Sequence, residues 1–151
     1  QQMGRDVERI VRYFERNGED YPQVDTTRVA LVGSKLGANV AIIAGGRDQG
    51  KHIKAMTVLS PGLNYKGLET SFPIIHYKNP ILIIASKQDT YSFESSELLY
   101  RWALGAKAIQ LYQNIGDSTD MIRNEPALKT RIVDWFTRHF PPTPRKVTEP
   151  A

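Results

Sequence analysis

Apolar residues along this chain follow two alternating patterns, one with helical spacing and one in short continuous runs. From Asp6 to Arg16 the apolar side chains recur three and four positions apart, which predicts a helix with one buried face. Four later runs are short and nearly all apolar, as expected of strands covered on both faces. The predicted strands are Arg28 to Gly33, Lys54 to Ser60, Pro80 to Ser86 and Ala108 to Gln113.

Helical segments are predicted between and after these strands. They are Gly37 to Gly45, Ser92 to Leu104 with Ser92 or Ser95 as the N-cap, and Asp120 to Phe140, whereas Gly62 to Asn79 is expected to be irregular. Strands joined by helices imply a parallel sheet with right-handed crossovers. The predicted fold class is therefore α/β, a three-layer α/β/α sandwich with a short, mostly parallel sheet of about four strands.

The chain is expected to form one domain over residues 1–140, followed by a proline-rich, disordered tail over residues 141–151. No apolar run approaches the roughly 20 residues of a membrane span, so no membrane association is predicted. The segment Gln1 to Arg16 is charged and amphipathic, unlike a signal peptide. A soluble protein is expected, either cytoplasmic or exported after removal of a leader, and the residues leave these two open.

Composition excludes several kinds of partner and cofactor. The formal net charge is +4, but the basic residues are scattered and no stacking platform is visible, so no nucleic-acid partner is predicted. The absence of cysteine excludes disulfides and thiolate metal sites. The three histidines are far apart in sequence and give no metal-ligand spacing. We therefore expect neither a metal nor another cofactor.

A tight glycine turn follows the first predicted strand and leads into the small-residue helix. It reads Gly33-Ser34-Lys35-Leu36-Gly37. This segment resembles the nucleophile elbow of the α/β-hydrolase family, G-x-S-x-G, with lysine at the position of the serine. Both glycines are expected to be required by the tightness of the turn. Ser34 does not replace the missing nucleophile, because the motif requires glycine two positions to either side and Ser34 has Val32 and Leu36 there.

The resemblance to α/β-hydrolases continues downstream and covers nearly the whole chain. Val58 to Gly62 resembles the family's sixth strand, and Trp135-Phe136 is typical of its closing helix. Asp89, after the next strand, matches the acid of the catalytic triad, and Asp117 occupies the position of the histidine. The resemblance implies the C-terminal half of the fold, from the fifth to the eighth strand. The upstream half, which carries the oxyanion loop in that family, is not in this sequence.

The remaining histidines are poor replacements for the missing base. His52 precedes the second strand, His76 lies in the irregular segment and His139 ends the last helix. Each is expected to be an ordinary surface or packing residue.

Lys35 has several possible roles. Asp89 and Asp117 would both favour a protonated lysine, so a salt-bridged cluster is the leading interpretation. A nucleophilic lysine and a polar site that holds an anion at a helix N-terminus are the alternatives. A dinucleotide site is disfavoured because the third glycine and the following acidic residue are absent.

The leading functional hypothesis is a catalytically inactive α/β-hydrolase-like domain that serves association or ligand binding. The alternatives are a serine-type esterase seen as a fragment or altered form, and an unrelated α/β binding protein. Strand Arg28 to Gly33 would be an exposed edge, which predicts a homodimer or another protein partner there. Alternatively, the helix Asp6 to Arg16 folds over that edge and the domain stays monomeric.

Overall fold

The computed structural model describes residues 2–142 and has alternating helices and strands. The elements are α1 (Gln2–Arg16), β1 (Val29–Ser34), α2 (Leu36–Asp48), β2 (Ile53–Leu59), β3 (Asn64–Tyr65), β4 (Leu68–Glu69), α3 (Ser71–His76), β5 (Ile81–Ser86), α4 (Thr90–Trp102), β6 (Lys107–Tyr112), α5 (Asp120–Asn124) and α6 (Ala127–His139). The four predicted strands are confirmed with ends shifted by about one residue. The predicted tail lies, from residue 143 on, outside the described residues.

The main sheet has the strand order β1-β2-β5-β6, and all its pairs are parallel. Every residue of β5 is buried, which explains its continuous apolar sequence. Two apolar clusters cover the two faces. One joins the sheet to α2, α3 and α4, and the other joins it to α5 and α6. The predicted three-layer α/β/α architecture is therefore confirmed.

Helix α1 packs on α2. A Cβ on Gly4 would lie 2.6 Å from the side chain of Ile43, so this glycine allows the two helices to approach closely. Glu8 and Arg47 form an ion pair of 2.6 Å between the same helices. Helix α1 also lies beside the amino end of β1, where Ile10, Val11 and Phe14 line a groove together with Val29.

Three expectations about the connecting segments are wrong. The segment from 62 to 79 is not irregular, since it forms the antiparallel pair β3–β4 and helix α3. Helix α4 is capped by Asp89 rather than by Ser92 or Ser95, because the Asp89 carboxylate accepts the Ser92 N–H at 3.2 Å. The last helix is divided into α5 and α6 at Pro126, which lacks an N–H and disfavours helical backbone in the residue before it.

Candidate functional site

The turn between β1 and α2 holds Lys35 in an unusual backbone conformation. Its φ of 51° and ψ of −117° lie in a region that residues other than glycine rarely adopt, at a cost of about 1–3 kcal/mol. Its N–H donates to the Leu59 carbonyl at 2.9 Å, and its own carbonyl accepts the Ala38 N–H at 3.0 Å. These bonds fix the strained turn and present the lysine side chain at the carboxyl edge of the sheet.

The two glycines that flank this turn have different roles. Gly33 is buried, and a Cβ there would lie 2.3 Å from the carbonyl oxygen of Gly37, so a side chain cannot fit. Gly37 is exposed, and a Cβ there would meet no atom within 4 Å. The expectation that both glycines are required is therefore supported for Gly33 and wrong for Gly37.

The three residues at the triad-like positions lie together. Lys35 follows β1, Asp89 follows β5 and Asp117 follows β6, and in a parallel sheet these strand ends share one edge. The Lys35 ammonium donates to the Asp89 carboxylate and lies 2.8 Å from Asp117 Oδ2. Asp89 is the most enclosed of the three, with 14% of its side chain exposed against 46% for Asp117.

The electrostatics of the cluster favour opposite charges on Lys35 and Asp89. Burial acts to lower the pKa of Lys35, but hydrogen bonds to Asp117 and Asp89 outweigh it and raise that pKa to about 12. Burial acts to raise the pKa of Asp89, but hydrogen bonds from Lys35 and Ser92 leave it lower than usual. A protonated amine has no lone pair for attack, so this arrangement disfavours a nucleophilic lysine.

The position of Lys35 at the start of α2 adds a second electrostatic constraint. A cation is unfavourable at a helix N-terminus, because the macrodipole is positive there. The carboxylates of Asp89 and Asp117 offset this, and Asp89 also caps the N-terminus of α4, where a negative charge is favourable. The cluster thus depends on both carboxylates.

A network of serine and tyrosine side chains beside the cluster, linked partly through backbone groups, was not predicted from the sequence. Ser34 Oγ lies 2.5 Å from Ser118 Oγ, and the Ser118 N–H donates to Ser60 Oγ at 2.9 Å. Ser92 Oγ donates to the Ser60 carbonyl at 3.1 Å and lies 2.6 Å from the hydroxyl of Tyr65. The sequence gives only indirect signals for these serines: Ser34 and Ser60 lie at strand ends, Ser118 is next to Asp117, and Ser92 is a candidate N-cap.

A pocket of about 330 Å³ opens over the cluster. It is lined by Lys35, Gln88, Asp89, Gly116, Asp117 and Asp120. The Gly116 N–H donates to Gln88 Oε1 at 2.5 Å, which joins the loops after β5 and β6. Three carboxylates and a single ammonium line the pocket, so its charge favours a cationic or neutral ligand over an anion.

The histidines are elsewhere in the described part of the chain. His52 bonds to Asp48 at 2.8 Å and to Glu15 at 2.9 Å, at the amino end of β2. His76 packs on Phe72, and His139 packs on Trp135. These positions agree with the packing roles expected for them, and none of the three histidines lines the pocket.

Comparison with known proteins identifies the fold. No family model and no curated protein sequence matches the chain. Three of the similar solved structures are an α/β hydrolase from a Mar Chica lagoon metagenome (17% identity, TM-score 0.64, 87% of this chain and 70% of that one), the Pyrococcus furiosus esterase Pf2001 (17%, 0.70, 88% and 60%) and an acetyl xylan esterase from Paenibacillus sp. R4 (16%, 0.73, 91% and 52%).

These similarities show that the chain has a partial α/β-hydrolase fold, as its sequence predicts. The chain spans 52% to 70% of the length of these three neighbours. Among residues 2–142, no helix is long and apolar enough to cross a membrane. The same residues contain no group of three or more metal-ligating side chains arranged to hold a metal ion.

Proposed function

We propose that this protein is a catalytically inactive α/β-hydrolase-like domain that serves association or ligand binding. The proposal rests on the residue at the position of the nucleophile in the elbow. Lys35 stands where the family places its serine, and its ammonium is paired with Asp89 and Asp117. The site therefore has neither the hydroxyl nucleophile nor the imidazole base of the triad. Loss of triad members costs a serine hydrolase about 10⁴-fold or more in rate.

The proposal is tested by hydrolysis of a short-chain aryl ester. The wild-type chain is compared with buffer, with Asp89→Ala, and with the double variant Lys35→Ser and Asp117→His. We expect no turnover above buffer from the wild type. Turnover well above buffer that is lost in Asp89→Ala would overturn the proposal, because the cluster would then carry out catalysis.

The double variant tests the second candidate, a serine-type esterase in altered form. The strained backbone at Lys35 favours this candidate, because a disused elbow has no need to retain a costly conformation. The esterases among the structural neighbours are consistent with it. Activity only in the double variant would mean that the geometry of a hydrolase site persists around Lys35 and Asp117. The single variant Lys35→Ser is the matched control, since it lacks a base.

A further inference from the structure

The imidazole of His52 lies between two carboxylates at the amino end of β2. Its Nδ1 is 2.8 Å from Asp48 Oδ1, and its Nε2 is 2.9 Å from Glu15 Oε1. Asp48 is the last residue of α2, whereas Glu15 lies in the last turn of α1. The ring therefore joins the end of α1 to the segment between α2 and β2.

These two contacts require a particular protonation state of the ring. A carboxylate only accepts hydrogen bonds, and a neutral imidazole carries a single N–H. A neutral His52 therefore donates to Asp48 or to Glu15, but not to both. Only the charged ring donates from both of its nitrogens and satisfies both carboxylates. The observed geometry is therefore that of a charged imidazole.

The two carboxylates differ in how easily they can leave the ring. Asp48 has only 8% of its side chain exposed, and its Oδ2 accepts the backbone N–H groups of His52 and Ile53 at 2.8 and 2.9 Å. Burial acts to raise the pKa of Asp48, but the backbone bonds and the His52 ring leave it lower than usual. Glu15 has 41% of its side chain exposed, so water can replace the ring as its partner. A ring with a single N–H therefore donates it to Asp48, the anion with less access to water.

We propose that His52, Asp48 and Glu15 form a pH-sensitive clasp for the last turn of α1. When the imidazole is charged, it holds both carboxylates and closes the clasp. When the ring loses one proton, its Nδ1–H stays on Asp48, and the Nε2 lone pair faces the Glu15 carboxylate, which repels it. Glu15 then turns to water, and the last turn of α1 loses this bond to the segment before β2.

The other ionisable groups around the ring do not reverse this effect. Those that line the same cavity are Glu8 and Arg12 of α1, Arg47 of α2 and Lys51 of the following turn. Glu8 and Arg47 pair with each other at 2.6 Å. Arg12 and Lys51 oppose a charged ring, but both are exposed, so water and salt screen them. Tyr77, which interacts with the α2 carboxylate, stays neutral because burial raises the pKa of its hydroxyl.

The change is confined to the end of α1 and is remote from the Lys35 cluster. The Glu8–Arg47 pair and the close approach of Gly4 to Ile43 hold the rest of α1 on α2. The clasp lies at the amino end of β2, whereas Lys35 follows the carboxyl end of β1, and these strands are parallel. The clasp therefore goes beyond the proposed function, and neither depends on the other.

Hydrogen exchange at different pH values tests the clasp. Protection factors, which are corrected for the intrinsic effect of pH on exchange, are measured for the amides from Phe14 to Asn17 between about pH 5 and pH 8, where histidine side chains titrate. We expect them to fall about three- to tenfold as pH rises, the effect of losing one hydrogen bond. The amides from Val7 to Val11 should change little. Protection at the end of α1 that does not vary with pH would overturn the proposal.

Glu15→Gln is the matched variant. A glutamine side chain accepts a bond from a ring N–H or donates one to a ring lone pair, so it fits both forms of His52. We expect this variant to keep the end of α1 in place and to lose the dependence on pH. His76→Gln should leave that dependence unchanged, because His76 packs on Phe72. A dependence in Glu15→Gln equal to that of the wild type would show that another group is responsible and would contradict the clasp.

Nitrogen NMR of the His52 ring tests which carboxylate is released. The chemical shifts of the two ring nitrogens distinguish the charged ring from each neutral tautomer. We expect protons on both nitrogens at the acidic end of the range and on Nδ1 alone at the alkaline end. A proton that stays on Nε2 instead would overturn the proposal, because Glu15 would then remain bound and Asp48 would be the residue released.

Discussion

Lys35 and Asp89 are 54 positions apart in the sequence and form a direct ion pair in the structure. They meet because β1 and β5 are parallel and lie on either side of β2, so both residues leave the sheet at the same edge. In α/β-hydrolases this edge carries a serine and the acid of the triad. Here the same geometry joins two opposite charges, and several measurable properties follow from that.

The ion pair should make stability depend on pH at both ends of the scale. The raised pKa of Lys35 contributes stability that is fully present below its ordinary value of 10.5 and is lost as pH rises through about 12. The lowered pKa of Asp89 contributes stability that is present above its ordinary value of 3.8 and is lost as pH falls. Chemical denaturation of the wild type and Asp89→Asn should therefore differ most between these limits. A difference that is constant from acid to alkali would contradict the ion pair.

The two glycines of the turn should respond oppositely to alanine. Gly33→Ala is expected to lower the free energy of unfolding by about 2–4 kcal/mol, because the new Cβ meets the Gly37 carbonyl. Gly37→Ala should raise it by up to about 1 kcal/mol, because the site is open and alanine favours a helix. Urea denaturation measures both changes. Similar losses in the two variants would show that the turn is tight on both sides.

The backbone strain at residue 35 can be separated from the ion pair. Lys35→Ala and Lys35→Gly both remove the ammonium, but only glycine adopts a φ of 51° without strain. We expect the glycine variant to be more stable than the alanine variant by about 1 kcal/mol. The same pair of substitutions at Leu36, the first residue of α2, should show the reverse order. Equal stabilities at residue 35 would mean that the turn relaxes.

Asn39 should be one of the few polar side chains that the fold cannot lose. It is fully buried, donates to the Leu68 carbonyl at 2.8 Å and accepts the Gly62 N–H at 3.0 Å. Asn39→Ala removes both of these bonds from a buried position and should cost about 2 kcal/mol or more. Asn124→Ala is the control, because Asn124 donates to the Ile115 carbonyl at an exposed position and should cost less than about 1 kcal/mol. Equal costs would contradict the role of Asn39 in holding the β3–β4 connection.

The sequence by itself determined the layers of the sheet and the order of its elements. A nearly continuous apolar run such as Ile81 to Ser86 can be recognised as a strand from the sequence alone, because a strand that is buried on both faces needs apolar residues at almost every position. The glycine turn and the acidic residues after the strands could also be recognised from the sequence, because each is defined by a few neighbouring residues. The sequence therefore predicted that Lys35, Asp89 and Asp117 would meet.

Only the tertiary structure decided features that depend on contacts between distant segments. Asp89 is the N-cap of α4 because the backbone of the turn places the Asp89 carboxylate within hydrogen-bond distance of the Ser92 N–H. Gly33 and Gly37 are both two positions from Lys35, but only the structure shows that a side chain would fit at Gly37, because no atom packs over it. The Ser34–Ser118 contact joins positions 84 residues apart, and no local pattern encodes such a distance.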